Sequence, residues 1–412
     1  MKIVIVNTSD TIGGAARASY RLHRALIDLD VDSKMVVQSK NSMDYNVIGP
    51  TTKLSAGLAM VRPSIDQILV GKSRTKPQSL FSPARVPFSS VIKKINSMKP
   101  DIVHLHWVCG GFIRIEDIPR INAPIVLSLH DVWTFTGGCH IVWDCVRYKN
   151  KCGHCPQLNS KKYFDLSWRV LSRKRRAFAK LKSLTIVGLS QWITNCAKES
   201  SLFKQSRVIN LPNNLSTDLY KPLEKSVARD LCNLPQGNKL ILFGGKNAVG
   251  NAVKGFEKLI AALKNIDNFA NMDLVVYGDE KPSTSPKLPF KIHYFGNLSD
   301  DISLISLYSA CDVLAMPSIC ENLSNNIMES LSCGLPVVAY DIGGNRDMVE
   351  HLINGYLAKP FDTVDFGHGI SWVLNNPDIN KISDSGRGKI ISEYENRIVA
   401  KKYLDLYRSL IN

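Results

Sequence analysis

Pro317-Ser-Ile-Cys-Glu-Asn-Leu-Ser-Asn-Asn-Ile-Met-Glu-Ser-Leu-Ser-Cys-Gly-Leu-Pro-Val-Val-Ala339 holds a strand end, a loop, a helix and the start of a second strand. The apolar run Val313–Pro317 reads as the first strand. Ser324 stands at the expected N-cap of a helix that carries Glu329, runs to Cys333 and is stopped by Gly334. Pro336–Asp341 is the second strand. Strands that are apolar on both faces and joined by a helix form a parallel sheet covered on both sides. In such sheets ligands lie beyond the carboxyl ends of the strands. The free N–H groups at the helix start make that end an anion site. Glu321 in the loop and Glu329 on the helix flank a phosphate-sized pocket, where carboxylates accept hydrogen bonds from sugar hydroxyls.

The same pattern recurs along the chain. Lys2–Asn7, Ser33–Gln38, Asp101–Trp107, Pro124–His130, Leu184–Ser190 and Arg207–Asn210 read as strands. A helix over about Ala15–Leu29 has Ala18, Leu22, Ala25, Leu26 and Leu29 at a 3.6 period. After Pro222 the pattern restarts, with strands at Lys239–Gly244, Asp273–Gly278 and Lys291–Gly296 and helices at Lys254–Ile266 and Ile302–Cys311. The last 30 residues read as helix. The expectation is α/β: two doubly wound domains in series, facing each other across a cleft. Residues 1–222 form the first, with a Cys-rich insertion at 139–158, and 223–390 the second. Residues 391–412 form a terminal helix crossing back to the first domain.

The chain has 412 residues and a formal net charge of +16. That length exceeds one comfortable core, and 44% apolar with 21% charged residues is ordinary globular composition. The charge is unevenly spread: residues 1–222 hold 33 basic and 14 acidic side chains, a net +19, whereas 223–412 net −3. Within 161–182 nine Lys/Arg face a single Asp. The first half therefore suits an anionic partner. No apolar stretch approaches the roughly 20 residues of a membrane span. The start Met1-Lys-Ile-Val-Ile-Val-Asn7 is too short in apolar residues for a secretory signal and reads as a strand, which points to the cytosol and to reduced cysteines.

The segment 317–339 resembles the E-x7-E signature of the retaining nucleotide-sugar glycosyltransferases of family 4, with the GT-B fold of two Rossmann-like domains. Gly343-Gly344 and Asn354-Gly355-Tyr356-Leu357 extend that resemblance over nearly the whole chain. It implies that Glu329 binds the donor ribose, Glu321 the donor sugar hydroxyls, and the backbone of Leu323, Ser324 and Asn325 the diphosphate or sugar. It implies that Lys254, before Gly255, neutralises the diphosphate. The companion Arg is missing, since Gly245 stands in its place, and Lys246 or Arg346 is the substitute. The family needs no metal for catalysis. In it, same-face attack lets the departing phosphate take the acceptor proton.

Gly13 and Gly14, after the first strand, let the backbone approach a phosphate or the acceptor closely. They do not form the G-x-G-x-x-G dinucleotide fingerprint. His130 ends a strand, and by the resemblance contacts the donor sugar or the reaction centre. Asp131 follows it, while His104 and His106 read mostly as packing or cleft lining. Cys139-x5-Cys145-x6-Cys152-x2-Cys155 has the makings of a structural zinc site that braces the insertion, with His140 and His154 as alternative ligands. With His130-Asp-Val-Trp-Thr-Phe-Thr-Gly-Gly-Cys-His140 it resembles the bacterial capsule, exopolysaccharide and colanic-acid subgroup. The basic stretch Lys161–Lys182, with Phe164, Trp168, Leu171 and Phe178 on one face, fits either a packed helix or one lying on an anionic membrane surface. Segment 53–76 is a second such candidate.

The expected protein is thus a cytoplasmic glycosyltransferase, peripheral at the inner face of the membrane. Its donor is a nucleoside-diphosphate sugar and its acceptor a glycan or a polyprenyl-diphosphate-linked glycan. A basic, zinc-braced nucleic-acid-binding protein is the rival, but the charge follows no nucleic-acid-reading motif. Another GT-B enzyme such as an epimerase is the nearer alternative, and the E-x7-E motif argues against it.

Overall fold

The computed structural model describes residues 1–68, 70, 80–87, 89–266, 271–282, 286, 288–298 and 300–411. It divides into two compact units. Met1–Asn214 with Val399–Asn412 form one, and Leu215–Ile398 form the other. The divide falls at Asn214, eight residues before Pro222. Leu215 is already tied into the second unit, because its N–H donates to the Tyr394 carbonyl and its carbonyl accepts from the Asn396 N–H.

The first unit is built on seven strands: β1 Lys2–Ser9, β2 Asp32–Ser39, β3 Val47–Ile48, β4 Ile102–Leu105, β5 Ile125–Leu129, β6 Leu184–Gly188 and β7 Arg207–Asn210. They are all parallel, in the order β3-β2-β1-β4-β5-β6-β7. Alternation along β1 shows why both faces need cover. Ile3 and Ile5 pack with Leu22, Leu26, Val126 and Val187 on one face. Val4 and Val6 pack with Val103, Leu105, Leu127 and Leu129 on the other. The Gly14–Ile27 helix buries Ala18, Leu22, Ala25 and Leu26, the stripe its 3.6 period marks. The two-residue β3 is an edge strand too short to read from periodicity.

The second unit carries β8 Lys239–Gly244, β9 Met272–Tyr277, β10 Ile292–Tyr294, β11 Val313–Met316, β12 Val337–Tyr340 and β13 Gly355–Ala358. These too are all parallel, in the order β10-β9-β8-β11-β12-β13. Asn354-Gly-Tyr-Leu357 thus largely belongs to an edge strand. The helix expected from Lys254 begins later, at Phe256, after a 3-10 turn over Ala252–Lys254.

The tail is two helices, Ile379–Tyr394 and Asn396–Ile411, broken at Glu395. The last one covers a face of the first sheet from Val399 onward, burying Val399, Ala400, Tyr403 and Tyr407. Its polar anchor is a chain through His104, whose Nδ1 meets Tyr407 Oη at 2.7 Å and whose Nε2 meets Ser128 Oγ at 2.8 Å. Every member is buried, so the loss of one leaves another without a partner. Tyr407→Phe should therefore destabilise the first unit by about 1–3 kcal/mol. Tyr407→Ala should cost about 3–5 kcal/mol, as expected for a buried aromatic truncated to Ala. Urea unfolding followed by far-UV circular dichroism reads both, and equal midpoints for parent and Tyr407→Phe would show that the chain of hydrogen bonds contributes nothing.

Candidate functional site

β8 and β11 are neighbours, so the loops leaving their carboxyl ends lie side by side. Gly255, at φ +76°, presses its backbone against the second of these loops: a Cβ there would lie 2.1 Å from the Pro317 carbonyl oxygen. The Ile319 N–H donates to the Val253 carbonyl at 2.9 Å. On the other side, a Cβ on Gly343 would lie 1.8 Å from the Glu321 carbonyl oxygen. The loop carrying Glu321 is thus held from both flanks by glycines. The result joins two residues 67 positions apart: Lys254 Nζ donates to Glu321 Oε1 at 2.7 Å. Both side chains keep partial exposure, 23% and 13%, so the pair remains open to a ligand.

Asn326, next along the helix, donates to the Gly244 carbonyl at 3.0 Å and ties the helix start to the end of β8. Gly245 has φ +134°, a backbone that an arginine would rarely adopt. The arginine that the resemblance leads one to expect at this position would be strained on this backbone. Arg346 is held by Asp341, at 2.9 Å and 2.5 Å.

The Glu329 helix runs Asn325–Ser332. Ser324 occupies the N-cap position, but its side chain makes no capping hydrogen bond, contrary to expectation. Glu329 is buried and its Oε2 accepts from Tyr308 Oη at 2.9 Å. Tyr308 in turn meets Tyr277 Oη at 3.1 Å. Tyr308, Tyr277 and Asn326 had no signal in the sequence, because an apolar helix with one Tyr and a strand ending in Tyr read as core. Ser318 Oγ and Tyr340 Oη, near the ends of β11 and β12, are buried without a hydrogen-bond partner among the described residues.

In the first unit, Gly13 takes φ +100° ahead of the Gly14–Ile27 helix, with open space where a Cβ would be. His130 follows β5. Its Nε2 meets His106 Nδ1 at 2.8 Å, and the His106 ring lies 4.1 Å from that of His104. Burial holds these imidazoles neutral: His130 is pushed down to about 4 and His104 to about 3, and His106 lies well below its usual value. Asp131 is a clamp. Burial raises its carboxyl, but hydrogen bonds from His140, the Trp133 N–H and Trp107 outweigh that and hold it below the ordinary range. The Trp107 and His140 contacts are 2.9 Å and 2.7 Å.

Cys139, Cys145, Cys152 and Cys155 are free thiols gathered near one another, since each of the other three raises the Cys139 thiol, after burial. Among the described residues, however, no group of three or more His, Cys, Asp or Glu side chains is placed to hold a metal ion. The basic helix is Leu166–Phe178, and its apolar face is covered by its own unit: Leu171 and Phe178 are buried. Lys174 is also fully buried, donating to the Trp133 and Thr136 carbonyls. Arg173 is buried too, paired with Glu116 at 2.5 Å. The packed reading of this helix therefore holds for its core. Phe164, Arg169, Arg175 and Arg176 stay exposed.

Two outcomes follow from this geometry. Gly255→Ala should destabilise the second unit by about 1–3 kcal/mol through strain at positive φ and the clash with Pro317, read by urea unfolding. The histidine chain sets an acid limit. An unfolded imidazole titrates near 6.5, whereas His130 and His104 titrate at about 4 and 3. Below about pH 6.5 the unfolded chain binds protons that the folded chain refuses. The stability is thus complete above pH 6.5 and is lost as pH falls toward 4, by up to about 1.4 kcal/mol per pH unit for a fully buried ring such as His104. Equal unfolding free energies for the first unit at pH 7.5 and pH 5 would contradict this.

Comparison with known proteins supports the same reading. Residues 233–389 match the family Glycosyl transferases group 1. The chain is similar to the N,N'-diacetylbacillosaminyl-diphospho-undecaprenol alpha-1,3-N-acetylgalactosaminyltransferase of Campylobacter jejuni, 27% identical over 162 residues. That alignment spans 38% of this chain and 42% of the relative, less than half of each. It is also similar to a protein provisionally named the colanic acid biosynthesis glycosyl transferase WcaC of Escherichia coli K12, 21% identical over 85% of both chains. Among solved structures, Anabaena Alr3699/HepE in complex with UDP-glucose aligns over the whole of both chains with a TM-score of 0.66 at 16% identity, a likeness of fold. The expectation of a glycosyltransferase enzyme is met in residues 233–389, the part that matches this family. Residues 233–389 match the glycosyl transferases group 1 family, and the two parallel-sheet domains have the fold of solved GT-B glycosyltransferases.

Proposed function

We propose that the chain is a retaining glycosyltransferase of family 4 that moves a sugar from a nucleoside-diphosphate sugar to a lipid-linked glycan, in the assembly of a bacterial surface polysaccharide. The observation that carries this reading is the 2.7 Å pairing of Lys254 with Glu321 at the ends of two adjacent parallel strands. One relative is named for an undecaprenol-diphosphate acceptor and another for colanic acid, and the HepE structure holds UDP-glucose, which supports the donor and acceptor classes.

Without substrate, Lys254 and Glu321 neutralise each other. An arriving diphosphate competes for the ammonium, and Glu321 is released to accept hydrogen bonds from the sugar hydroxyls. Glu329 is assigned to the ribose, and the backbone of Leu323, Ser324 and Asn325 to the diphosphate or sugar. The acceptor hydroxyl oxygen bonds to the anomeric carbon on the face from which the diphosphate leaves. The C–O bond to the diphosphate breaks with its electron pair going to the phosphate, and the hydroxyl proton passes to that phosphate oxygen. Lys254 stabilises the charge that develops there. His130 is neutral at pH 7 and serves as a hydrogen-bonding rather than a cationic group at the reaction centre. Gly13 and Gly14 are assigned to the close approach of a phosphate or of the acceptor.

The proposed place of action is the cytoplasmic face of the membrane. No helix among the described residues is long and apolar enough to cross a bilayer. The transfer as written uses no metal. A structural zinc on Cys139, Cys145, Cys152 and Cys155 is a separate proposal, decided by elemental analysis after reducing, chelator-free purification, with about one zinc per chain as the positive result.

A thermal-shift screen of nucleotide sugars tests the donor class: a donor present at about 100 times its dissociation constant should add about 2.7 kcal/mol. Glu329→Ala should weaken donor binding by about 1.5–3 kcal/mol, while Glu321→Ala should mainly lower turnover. Lys254→Ala should lower kcat by about 10²–10³. Unchanged kinetics in the two glutamate variants would overturn the site assignment, and steeply salt-dependent DNA binding without any nucleotide-sugar effect would favour the nucleic-acid reading.

A further inference from the structure

The 16-residue helix Lys53–Ile68 is inside out. Leu54, Leu58, Val61, Ile65 and Ile68 are spaced four, three, four and three residues apart, which places them along one side of the helix. That stripe would ordinarily face a core. Here all five are exposed, from 41% at Ile65 to 76% at Leu54, and Met60 beside them is 81% exposed. The inward side is instead small or polar. Asp66, the one acidic residue of the helix, is fully buried and accepts the Arg85 N–H at 3.3 Å.

The helix is seated through its backbone. Pro63 has no N–H for the Ala59 carbonyl, and Gln38 Nε2 supplies the missing donor at 3.1 Å. Arg62 reaches over to the carbonyls of Gly111, Pro87 and Val86. At Gly111 a Cβ would stand 2.6 Å from the Arg62 carbonyl oxygen, so the helix lies against the loop that leaves β4. It therefore sits at the carboxyl edge of the first sheet, the edge that also bears Gly13, Gly14 and His130. Leu69 and residues 71–76, the rest of the apolar and basic segment singled out in the sequence, lie outside the described residues.

We infer that the exposed stripe of the Lys53–Ile68 helix seats in the interfacial layer of an anionic lipid bilayer. This rests on the lipid-linked acceptor proposed above and names the surface through which that acceptor is reached. Charge selects the lipid over a second copy of the chain. Residues 1–222 carry a net +19, which repels a like copy and attracts anionic headgroups, and the helix turns its one carboxylate away from the surface. Arg85, whose N–H is held by Asp66, also lines a cavity of about 460 Å³ together with Arg169, Arg173, Arg175 and Arg176. Its exposed members Arg85, Arg169, Arg175 and Arg176 add cationic surface that headgroup phosphates can reach on the same unit. The sequence offered the 161–182 helix first, but its apolar face is already occupied by its own unit, whereas among the described residues the 53–68 stripe is left exposed.

Co-sedimentation of the full chain with vesicles of phosphatidylcholine alone, or with 30% phosphatidylglycerol, tests this. The expected result is binding to the anionic vesicles that 1 M salt weakens. Leu58→Glu combined with Ile65→Glu should lower the vesicle partition at least tenfold, with Leu58→Ala and Ile65→Ala intermediate. The melting temperature and the nucleotide-sugar thermal shift should not change, because both side chains already face water. Arg175→Gln with Arg176→Gln should reduce the preference for anionic vesicles. Full binding by the double-Glu variant would overturn the inference. So would a lipid-free dimer that the same variant abolishes together with an absence of vesicle binding, which would assign the stripe to a second copy. Loss of the nucleotide-sugar shift with vesicle binding intact would instead overturn the proposed function alone.

Discussion

Backbone contact at Gly255 is what the candidate site depends on. Parallel pairing of β8 with β11 brings two loops side by side, but only a residue without a side chain lets them touch. At that contact the backbone of Lys254 is fixed within reach of the loop that carries Glu321, and Gly343 closes the same loop from the other side. The ion pair is therefore a consequence of backbone packing more than of mutual attraction. Such a preset pair of opposite charges, still partly exposed, suits a ligand that is both anionic and rich in hydroxyls.

A different economy governs the first unit. Its sheet is buried on both faces, and polar groups inside it must find partners there. His104 satisfies both ring nitrogens, one through the last helix and one through β5, so the final residues of the chain become part of the first core. The neighbouring rings of His106 and His130 follow, kept uncharged by the same lack of water. Asp131 closes the row by binding Trp107, Trp133 and His140, a positioning role that its place after His130 did not announce.

Charge and apolar surface are distributed to different ends. Two cations of the basic stretch that fitted either a packed or a membrane-facing helix, Arg173 and Lys174, hold the fold together from within. Meanwhile the helix with the smaller charge, Lys53–Ile68, leaves its apolar stripe outside. A hydrophobic pattern states only that a face avoids water; which surface receives it depends on what packs around it.

The sequence by itself determined the parallel, doubly wound architecture, because strands buried on both faces are mostly apolar on both sides and those runs stand out between helical repeats. The spacing within 317–339 also marked Glu321 and Glu329, while Lys254 was marked only by the resemblance that the Lys254-Gly255 step carries. The tertiary structure alone decided that Lys254 meets Glu321 across 67 residues, that Tyr308 holds Glu329, and that Ser324 leaves its capping bond unmade. It also decided that the second unit begins at Leu215, that the tail breaks at Glu395, and that the stripe at 53–68 points outward. These are contacts between segments distant in the chain or choices between two faces of one helix. Neither leaves a periodic trace, because the residues concerned satisfy the same local rules in either arrangement.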